Sequence, residues 1–256
     1  MQSDPAYSED PLDESNHNPI AGIVHKYRNR LLLIVSPACA INCRYCFRRH
    51  FPYQENRQSK EQWQQALNYI SSHKDINEVI FSGGDPLAAN DRFLAWLTEQ
   101  IAAIPHIKRL RIHTRLPVVI PSRINESFLR WAAASRLRPI MVLHINHSNE
   151  IDGEVADAIG RLLDAGLKVL NQTVLLKDIN DSATTLNTLS ERLFDCDVSP
   201  YYLHLLDPVQ GASHFDIDPE QAGEIYRELQ AMLPGFLLPK LVREIPGELS
   251  KTIIAP

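Results

Sequence analysis

Three of the four cysteines in this 256-residue chain stand within eight positions, in the order Cys39, Cys43 and Cys46. Cysteine thiolates are the usual ligands of iron–sulfur clusters, and three of them leave one iron of a four-iron cluster open to another molecule. Tyr45 precedes the last cysteine, where its ring could stack on an adenine. The spacing therefore predicts a [4Fe–4S] cluster held by Cys39, Cys43 and Cys46.

Zinc is the alternative metal for the same three cysteines. Structural zinc takes four ligands, usually as two separated pairs, and the sequence contains no second pair. His50 could supply a fourth ligand, but the cluster remains the favoured prediction. Cys196 stands apart from the other cysteines and is predicted to be a small core residue.

A glycine-rich turn, Ser82-Gly83-Gly84-Asp85-Pro86, is the second motif with chemical meaning. Residues without a side chain allow backbone carbonyl groups to approach a ligand closely. Asp85 adds a negative charge that suits an ammonium group. On its own, the same string of residues is also typical of an ordinary turn.

The elements that must position these motifs alternate between short aliphatic runs and longer segments with helical periodicity. Strands are predicted at 31–36, 78–82, 109–113, 140–145, 169–173 and 199–204. Helices are predicted at 61–73, 92–104, 126–135, 154–165, 183–194 and 219–232. Apolar strands that alternate with helices form parallel sheets. The pattern predicts an α/β fold, a partial (β/α)6 barrel.

We expect residues 21–256 to form a single domain, preceded by a polar and poorly ordered lead-in at residues 1–20. In a parallel α/β fold, functional groups gather at the carboxyl ends of the strands. Polar side chains follow successive predicted strands there, namely the cysteine loop, the glycine turn, His113, Arg115, His144, Asn146, His147, Gln172 and Asp207. Their equivalent positions predict a shared site at one end of the barrel.

Composition excludes several classes of protein. The net charge of −5 at pH 7 offers no basic surface for nucleic acid or an anionic membrane. No apolar stretch is long enough to span a bilayer, and the first residues lack the pattern of a signal peptide. These observations predict a cytoplasmic enzyme.

The cysteine spacing, combined with the glycine turn, resembles the signature of the radical SAM superfamily. This resemblance implies that the cluster binds and cleaves S-adenosylmethionine. It also implies that the turn formed by Ser82, Gly83, Gly84 and Asp85 holds the amino group of the methionine part. We therefore expect two parts of one cofactor site at Cys39–Cys46 and at Ser82–Asp85.

From Tyr27 to Lys251 the chain is similar to the lysine 2,3-aminomutase family. Within it, the sequence at 43–53 resembles the branch that makes β-lysine for the modification of elongation factor P. The family joins pyridoxal 5′-phosphate (PLP) to a lysine at the end of a Pro-Gly-Gly-Gly-Gly-Lys turn. Here that turn is Pro246-Gly247-Glu248-Leu249-Ser250-Lys251, in which three of the glycines are absent. The resemblance implies that Lys251 is the PLP lysine, whereas composition alone favours a solvated surface lysine.

The resemblance also implies roles for three charged residues. Arg48 would hold the substrate carboxylate, to which a guanidinium is well suited. Asp207 and Glu244 would bind the distant ε-ammonium group, and Glu244 stands where the family has aspartate. Two carboxylates favour lysine over glutamate as the substrate. The alternative is that both acids are ordinary surface charges.

Further cofactor contacts follow from the same resemblance. Tyr27 and Arg30 match positions near the PLP phosphate, and Arg115 is a second candidate for that phosphate. The implied contacts of S-adenosylmethionine are His144, Asn146 and Gln172, although such residues at strand ends are often only structural.

The implied activity is a radical, PLP-dependent isomerisation that moves the α-amino group of L-lysine to the β-carbon. The alternatives are the same scaffold acting on another amino acid, and an inactive homologue that serves as a binding module for elongation factor P or its ligase. An electron donor such as flavodoxin or ferredoxin is also implied, and a homo-oligomer remains open. The family has a helical segment before the Tyr27 region, where this sequence has only a short polar stretch. We therefore expect either a naturally short form or a sequence from which the N-terminal part is omitted.

Overall fold

One sheet of nine strands organises the part of the chain that the computed structural model describes, residues 6–56 and 58–254. The strands follow one another across the sheet in sequence order. They are β1 (Ile23–Tyr27), β2 (Arg30–Ser36), β3 (Glu78–Gly83), β4 (Arg109–Thr114), β5 (Arg138–His144), β6 (Lys168–Val174), β7 (Ser199–His204), β8 (Lys240–Arg243) and β9 (Thr252–Ile253). The α-helices are α1 (Lys60–Ser72), α2 (Asp91–Ala102), α3 (Leu116–Val119), α4 (Glu126–Ala134), α5 (Gly153–Asp164), α6 (Ala183–Phe194) and α7 (Pro219–Met232).

Strands β2 to β8 run parallel, whereas β1 and β9 pair antiparallel at the two edges. A helical connection follows each strand from β2 to β7 and returns the chain to the next strand. The predicted partial (β/α)6 barrel is therefore confirmed. Strand β8 adds a seventh parallel strand, and the hairpin that it forms with β9 was absent from the prediction.

Local sequence explains where the longer helices begin. Each is preceded by a residue whose side chain accepts a backbone N–H of the first turn, the arrangement that stabilises helix starts. These capping residues are Ser59, Asn90, Asn125, Asp152, Ser182 and Asp218. The six predicted helices agree with the observed ones to within two residues at each end.

Burial of β3 on both faces anchors the sheet, since all six of its residues are buried. Phe81 on this strand and Phe128 on α4 are fully enclosed in the main hydrophobic cluster between the sheet and the helices. Burying such side chains stabilises the fold by roughly 1.5–3 kcal/mol each. The helices thus cover the outside of the sheet and leave its inner side to the site described below. No helix of the described residues is long and apolar enough to cross a membrane.

Residues 6–20 of the lead-in, which were expected to be poorly ordered, make contacts with the rest of the chain. Residues 6–20 lie against the barrel, where Ser8 forms a parallel bridge with Val209. Leu12 and Glu14 are only 3% and 5% exposed. The polar composition gave no sign of this because the contacts are made with residues far away in the sequence. Residues 1–5 of the predicted lead-in lie outside the described residues.

Candidate active site

A cavity of about 920 Å³ opens at the carboxyl ends of the parallel strands. Its volume lies in the range of sites that enclose small molecules or cofactors. Most of the predicted site residues line it: Tyr27, Arg30, Cys39, Cys43, Cys46, Arg48, Ser82, Gly83, Gly84, Asp85, Arg115, His144, Gln172, Asp207, Glu244 and Lys251. The exceptions are Asn146 and His147. The fold therefore brings together residues that are spread over more than 200 positions of the sequence.

The cysteine loop joins β2 to α1 and lines one end of this cavity. It turns tightly after the second cysteine, where the N–H of Cys46 donates to the carbonyl of Cys43 at 3.1 Å. Burial, together with the negative charges of Asp85 and of the other two cysteines, raises the pKa of Cys39 to about 11. Thiolates at these positions therefore require a cation to stabilise them, which is what iron would supply.

The three thiols are a set of donors that suits a four-iron cluster. Within the described residues, no three side chains of His, Cys, Asp or Glu converge on a point where one metal ion could sit. In a four-iron cluster each thiolate binds a different iron, so the sulfur atoms do not need to converge. The donor set of Cys39, Cys43 and Cys46 is that of an iron–sulfur cluster with one open iron.

The glycine turn packs directly on the start of the cysteine loop. The N–H of Gly84 donates to the carbonyl of Ser36 at 2.8 Å. A β-carbon added to Gly83 would lie 2.3 Å from the same carbonyl oxygen, and one added to Gly84 would lie 2.6 Å from the carbonyl oxygen of Ala38. Gly83 also has a φ of +129°, which other residues rarely adopt. Both glycines are therefore required for the two motifs to meet.

Asp85 has a structural role that the sequence did not predict. Its Oδ1 accepts hydrogen bonds from the Leu87 N–H and the Thr114 hydroxyl, and its Oδ2 accepts from the N–H groups of Arg115 and Leu116. Burial raises its pKa, and these four donors stabilise the charged form. Both oxygens thus accept hydrogen bonds from the chain itself, and the expected contact between Asp85 and an ammonium group stays a prediction. Asp85 connects the glycine turn to the end of β4.

Asn146 also makes hydrogen bonds within the protein and is not among the residues that line the cavity, and its expected contact with S-adenosylmethionine stays a prediction. Its Oδ1 accepts the N–H of Val174 at 2.9 Å, and its backbone carbonyl accepts a hydrogen bond from the Asn180 side chain at 2.8 Å. These contacts make Asn146 a brace between the loops that follow β5 and β6. Asn146 lies just after the end of β5, and its Oδ1 is bonded within the protein.

Three neutral histidines line the cavity: His113, His144 and His204. Burial lowers the pKa of His144 to about 3, aided by the charges of Arg115 and Arg48, and its Nε2 lies 2.8 Å from the Nε2 of Gln172. Burial also holds the pKa of His113 and of His204 well below the usual value. The Nε2 atoms of these last two residues are buried and make no hydrogen bond within the described residues. Such orphaned atoms indicate a polar ligand in the cavity.

Lys251, the predicted PLP lysine, also lines the cavity. The hairpin between β8 and β9 places Lys251 beside Glu244, and their side chains form an ion pair. Lys26 on β1 donates to the other oxygen of Glu244 at 2.7 Å. Asp207 is close enough for both Lys251 and Glu244 to influence its pKa, and its Oδ1 has no hydrogen-bond partner within the described residues. Sequence analysis missed Lys26, although it precedes the predicted Tyr27.

Comparison with known proteins decides the family. A model described as the radical SAM superfamily matches residues 33–189. A protein of Haemophilus influenzae named L-lysine 2,3-aminomutase is 57% identical over 249 residues, which cover 97% of this chain and 74% of that protein. A protein of the same name from Escherichia coli K12 is 55% identical and is matched over 97% of this chain and 72% of its own length. The chain belongs to the lysine 2,3-aminomutase family.

Several solved structures have a similar fold. One is anSMEcpe with bound AdoMet and a Kp18Cys peptide, with a TM-score of 0.58, 15% identity, and coverage of 78% of this chain and 58% of that one. Another is a radical SAM methyltransferase from Sphaerobacter thermophilus, with a TM-score of 0.56, 17% identity, and coverage of 86% and 68%. At these identities the likeness extends to the fold alone.

Two cations of the cavity differ in their availability to a family cofactor. The guanidinium of Arg30 stacks 4.1 Å from the ring centroid of Tyr27 and donates to the neutral side chain of Asn29. Arg115 is instead ion-paired with Glu150. Within the described residues, Arg115 thus has a carboxylate partner and Arg30 has none, and both stay predicted contacts of the PLP phosphate.

Proposed function

We propose that this chain is a radical SAM, PLP-dependent 2,3-aminomutase that converts L-lysine to β-lysine. The observation that carries the proposal is the cavity itself, which is lined both by the three-cysteine loop and by Lys251. Lys251 forms an ion pair with Glu244 and is close enough to influence the pKa of Asp207. The shared identity with proteins named L-lysine 2,3-aminomutase supports the same reaction.

The residues present fit three added groups. Cys39, Cys43 and Cys46 would hold the [4Fe–4S] cluster, the turn at Gly83 would hold S-adenosylmethionine, and Lys251 would hold PLP. When bound, these groups supply a carbon radical and a conjugated ring that assists the migration of an amino group. The protein supplies position, charge and exclusion of water.

The charges of the cavity match those of lysine. Asp207 and Glu244 offer carboxylates to the ε-ammonium group, whereas Arg48 offers a guanidinium to the carboxylate. Lys251 is 22% exposed and Glu244 is 12% exposed, so that their ion pair is largely shielded from water. His113, His144 and His204 are neutral because their pKa values are lowered, so they offer polar atoms to a ligand without adding charge to the cavity. A substrate with a positively charged side chain is the best fit.

The test is product analysis under anaerobic conditions. Protein reconstituted with iron and sulfide is reduced, supplied with S-adenosylmethionine and PLP, and incubated separately with lysine, alanine, glutamate and arginine. We expect β-lysine from lysine and no β-amino product from the other three. Lys251→Ala should abolish the product but keep its iron content, whereas Cys43→Ala should lose iron as well. A wild-type protein that holds its cluster and makes no β-lysine would refute the proposal.

A basic surface beside the cysteine loop supports the expected electron donor. Arg44 and Arg49 are exposed, and in the described part of the chain their side chains contact His214 and a backbone carbonyl rather than a carboxylate. This patch, here called the arginine patch, contrasts with the net negative charge of the chain. An acidic carrier such as flavodoxin or ferredoxin would be attracted to it.

The destination of the product and the location of the protein belong to the same proposal. The similarity at residues 43–53 favours β-lysine that is used to modify elongation factor P by its ligase. That use would place the enzyme in the cytoplasm. Adding the ligase and elongation factor P to the reaction should transfer the labelled product to the factor, and free β-lysine alone would contradict this part of the proposal.

A further inference from the structure

Arg48 is held on one edge by a residue of the N-terminal segment. Its Nε donates to Oε2 of Glu14 and its Nη2 donates to Oε1, both at 2.7 Å. On the other side, its Nη1 donates to the Ser82 hydroxyl at 2.8 Å and lies 3.4 Å from the Gly83 carbonyl. The guanidinium thus joins the N-terminal segment to the glycine turn.

The two edges differ in how readily they exchange partners. Arg48 and Glu14 are 7% and 6% exposed at their side chains, so separating them would leave two buried charges without partners. Burial alone would lower the pKa of Arg48, but the Glu14 carboxylate raises it above its usual value. The Ser82 hydroxyl is neutral and can be replaced by a stronger acceptor at little cost. An incoming carboxylate is therefore expected at the Nη1–Nη2 edge.

Glu14 is itself fixed in place. The carboxylate of Asp10 accepts the N–H groups of Glu14 and Ser15, both at 2.9 Å. The carbonyl of Leu12 accepts a hydrogen bond from Lys26 at 2.8 Å, and Lys26 is also paired with Glu244. The segment from Asp10 to Ser15 therefore connects the Arg48 end of the cavity to the Lys251 end.

We propose that Glu14 is a positioning residue of the substrate site. It holds Arg48 by its Nε–Nη2 edge, so that the opposite edge, now on Ser82, faces the cavity and receives the α-carboxylate of the amino acid. This inference rests on the proposed function. It adds that the carboxylate of Glu14 does not bind the substrate but orients the guanidinium of Arg48, which does. It predicts that Glu14 determines the preference for a substrate with a free carboxylate.

The test compares lysine with lysinamide, which lacks the carboxylate, in wild type, Glu14→Gln, Glu14→Asp and the control Glu9→Gln, an exposed acid of the same segment. Glu14→Gln keeps the shape of the side chain but loses its charge. We expect the KM for lysine to rise roughly tenfold or more with a much smaller change in kcat, whereas kcat/KM for lysinamide stays within about twofold. Glu14→Asp should recover part of the loss, and Glu9→Gln should match wild type.

Two outcomes would overturn the inference. A lower KM for lysine in Glu14→Gln would show that Glu14 competes with the substrate for Arg48. An equal loss for lysine and lysinamide would show that Glu14 serves only the fold. If Glu14→Gln does not fold, Glu14→Asp carries the same comparison.

A measurement without turnover separates this inference from the proposed function. Hydrogen exchange of the backbone at residues 10–17 is followed in protein without added cofactors. Glu14→Gln should accelerate exchange there and at 82–84, and Glu9→Gln should not. Unchanged exchange in Glu14→Gln would refute the role of Glu14 even where wild type makes β-lysine. If Glu14→Gln accelerates exchange but wild type makes no β-lysine, the role of the Glu14–Arg48 pair is retained and only the proposed reaction is refuted.

Discussion

The carboxylate of Asp207 has a buried oxygen, Oδ1, which has no hydrogen-bond partner within the described residues. Burial raises its pKa to about 7, an effect that Lys251 opposes and Glu244 adds to. Glu244 shows the contrast within the same cavity: burial would raise its pKa as well, but Lys251 and Lys26 hold the pKa well below its usual range. The two acids predicted to share one ammonium group therefore differ, because only Glu244 is already neutralised by the protein.

Asp207→Asn is expected to raise the KM for lysine at least tenfold, since the amide removes the charge that faces the ε-ammonium group. The same change should stabilise the ligand-free protein by about 1–3 kcal/mol at pH 8, because a buried unpaired charge is lost. Chemical denaturation measures the stability, and steady-state kinetics measure the KM.

The sign of the pH dependence follows from the raised pKa of Asp207. Protonated Asp207 carries no buried charge, and its favourable contribution to the free energy of unfolding is present at low pH. This contribution is lost as the pH rises through about 7, where Asp207 ionises in the folded protein. The stabilisation by Asp207→Asn should therefore shrink at pH 5, and the KM of wild type for lysine should increase as the pH falls below 7. An equal gain in stability at pH 5 and pH 8 would contradict this account.

At the scale of elements, the cysteine loop and the glycine turn behave as one unit. Gly84→Ala would place a β-carbon 2.6 Å from the Ala38 carbonyl and 2.8 Å from that of Pro37, in the loop that carries Cys39. We expect reconstituted Gly84→Ala to bind less than half the iron of wild type, measured by iron and sulfide analysis. Gly235→Ala is the matched control, because nothing lies within 4 Å of its added β-carbon. Full iron content in Gly84→Ala would show that the two motifs are independent.

The same scale shows what sequence patterns reveal and what they leave out. Long apolar strands and periodic helices are local properties, so helices such as Ala183–Phe194 and Pro219–Met232 were predicted to their ends. Strand β8 has only four residues, too few for a clear alternation, and it was missed. The hairpin that sets Glu244 beside Lys251 was therefore absent from the prediction, although the resemblance to the family named both residues.

Partners of side chains are the part of the site that the sequence does not specify. Asp85 was expected to face a ligand, but four donors of its own chain surround it. Glu14 lies in a polar stretch that gave no sign of burial, and it pairs with Arg48, 34 positions later in the sequence. Residue types and spacing predicted which groups gather in the cavity, whereas the pairing between them depends on the folded geometry.

Across the whole molecule, the two edges of the open sheet are connected through the site. In the described part of the chain, β1 pairs with β2 and β9 pairs with β8, and the ion pair between Lys26 and Glu244 crosses from one edge to the other. The N-terminal segment adds the bond from Lys26 to the Leu12 carbonyl. Charged side chains of the cavity thus connect the two edges of the sheet, so that stability and substrate binding depend on the same residues.

The arginine patch lies where the cysteine loop reaches the surface, and we expect the electron donor to bind there. Arg44→Glu combined with Arg49→Glu should lower the rate of reduction by an acidic flavodoxin by roughly tenfold at low salt, since long-range attraction mainly affects association. Reduction by dithionite, a small ion, should change far less. Arg138→Glu, an exposed cation at the start of β5 and so at the opposite ends of the strands, is the control. Because screening removes such effects, the difference between the variants should vanish at about 0.5 M salt. A loss that persists at high salt, or an equal loss with Arg138→Glu, would place the donor elsewhere on the molecule.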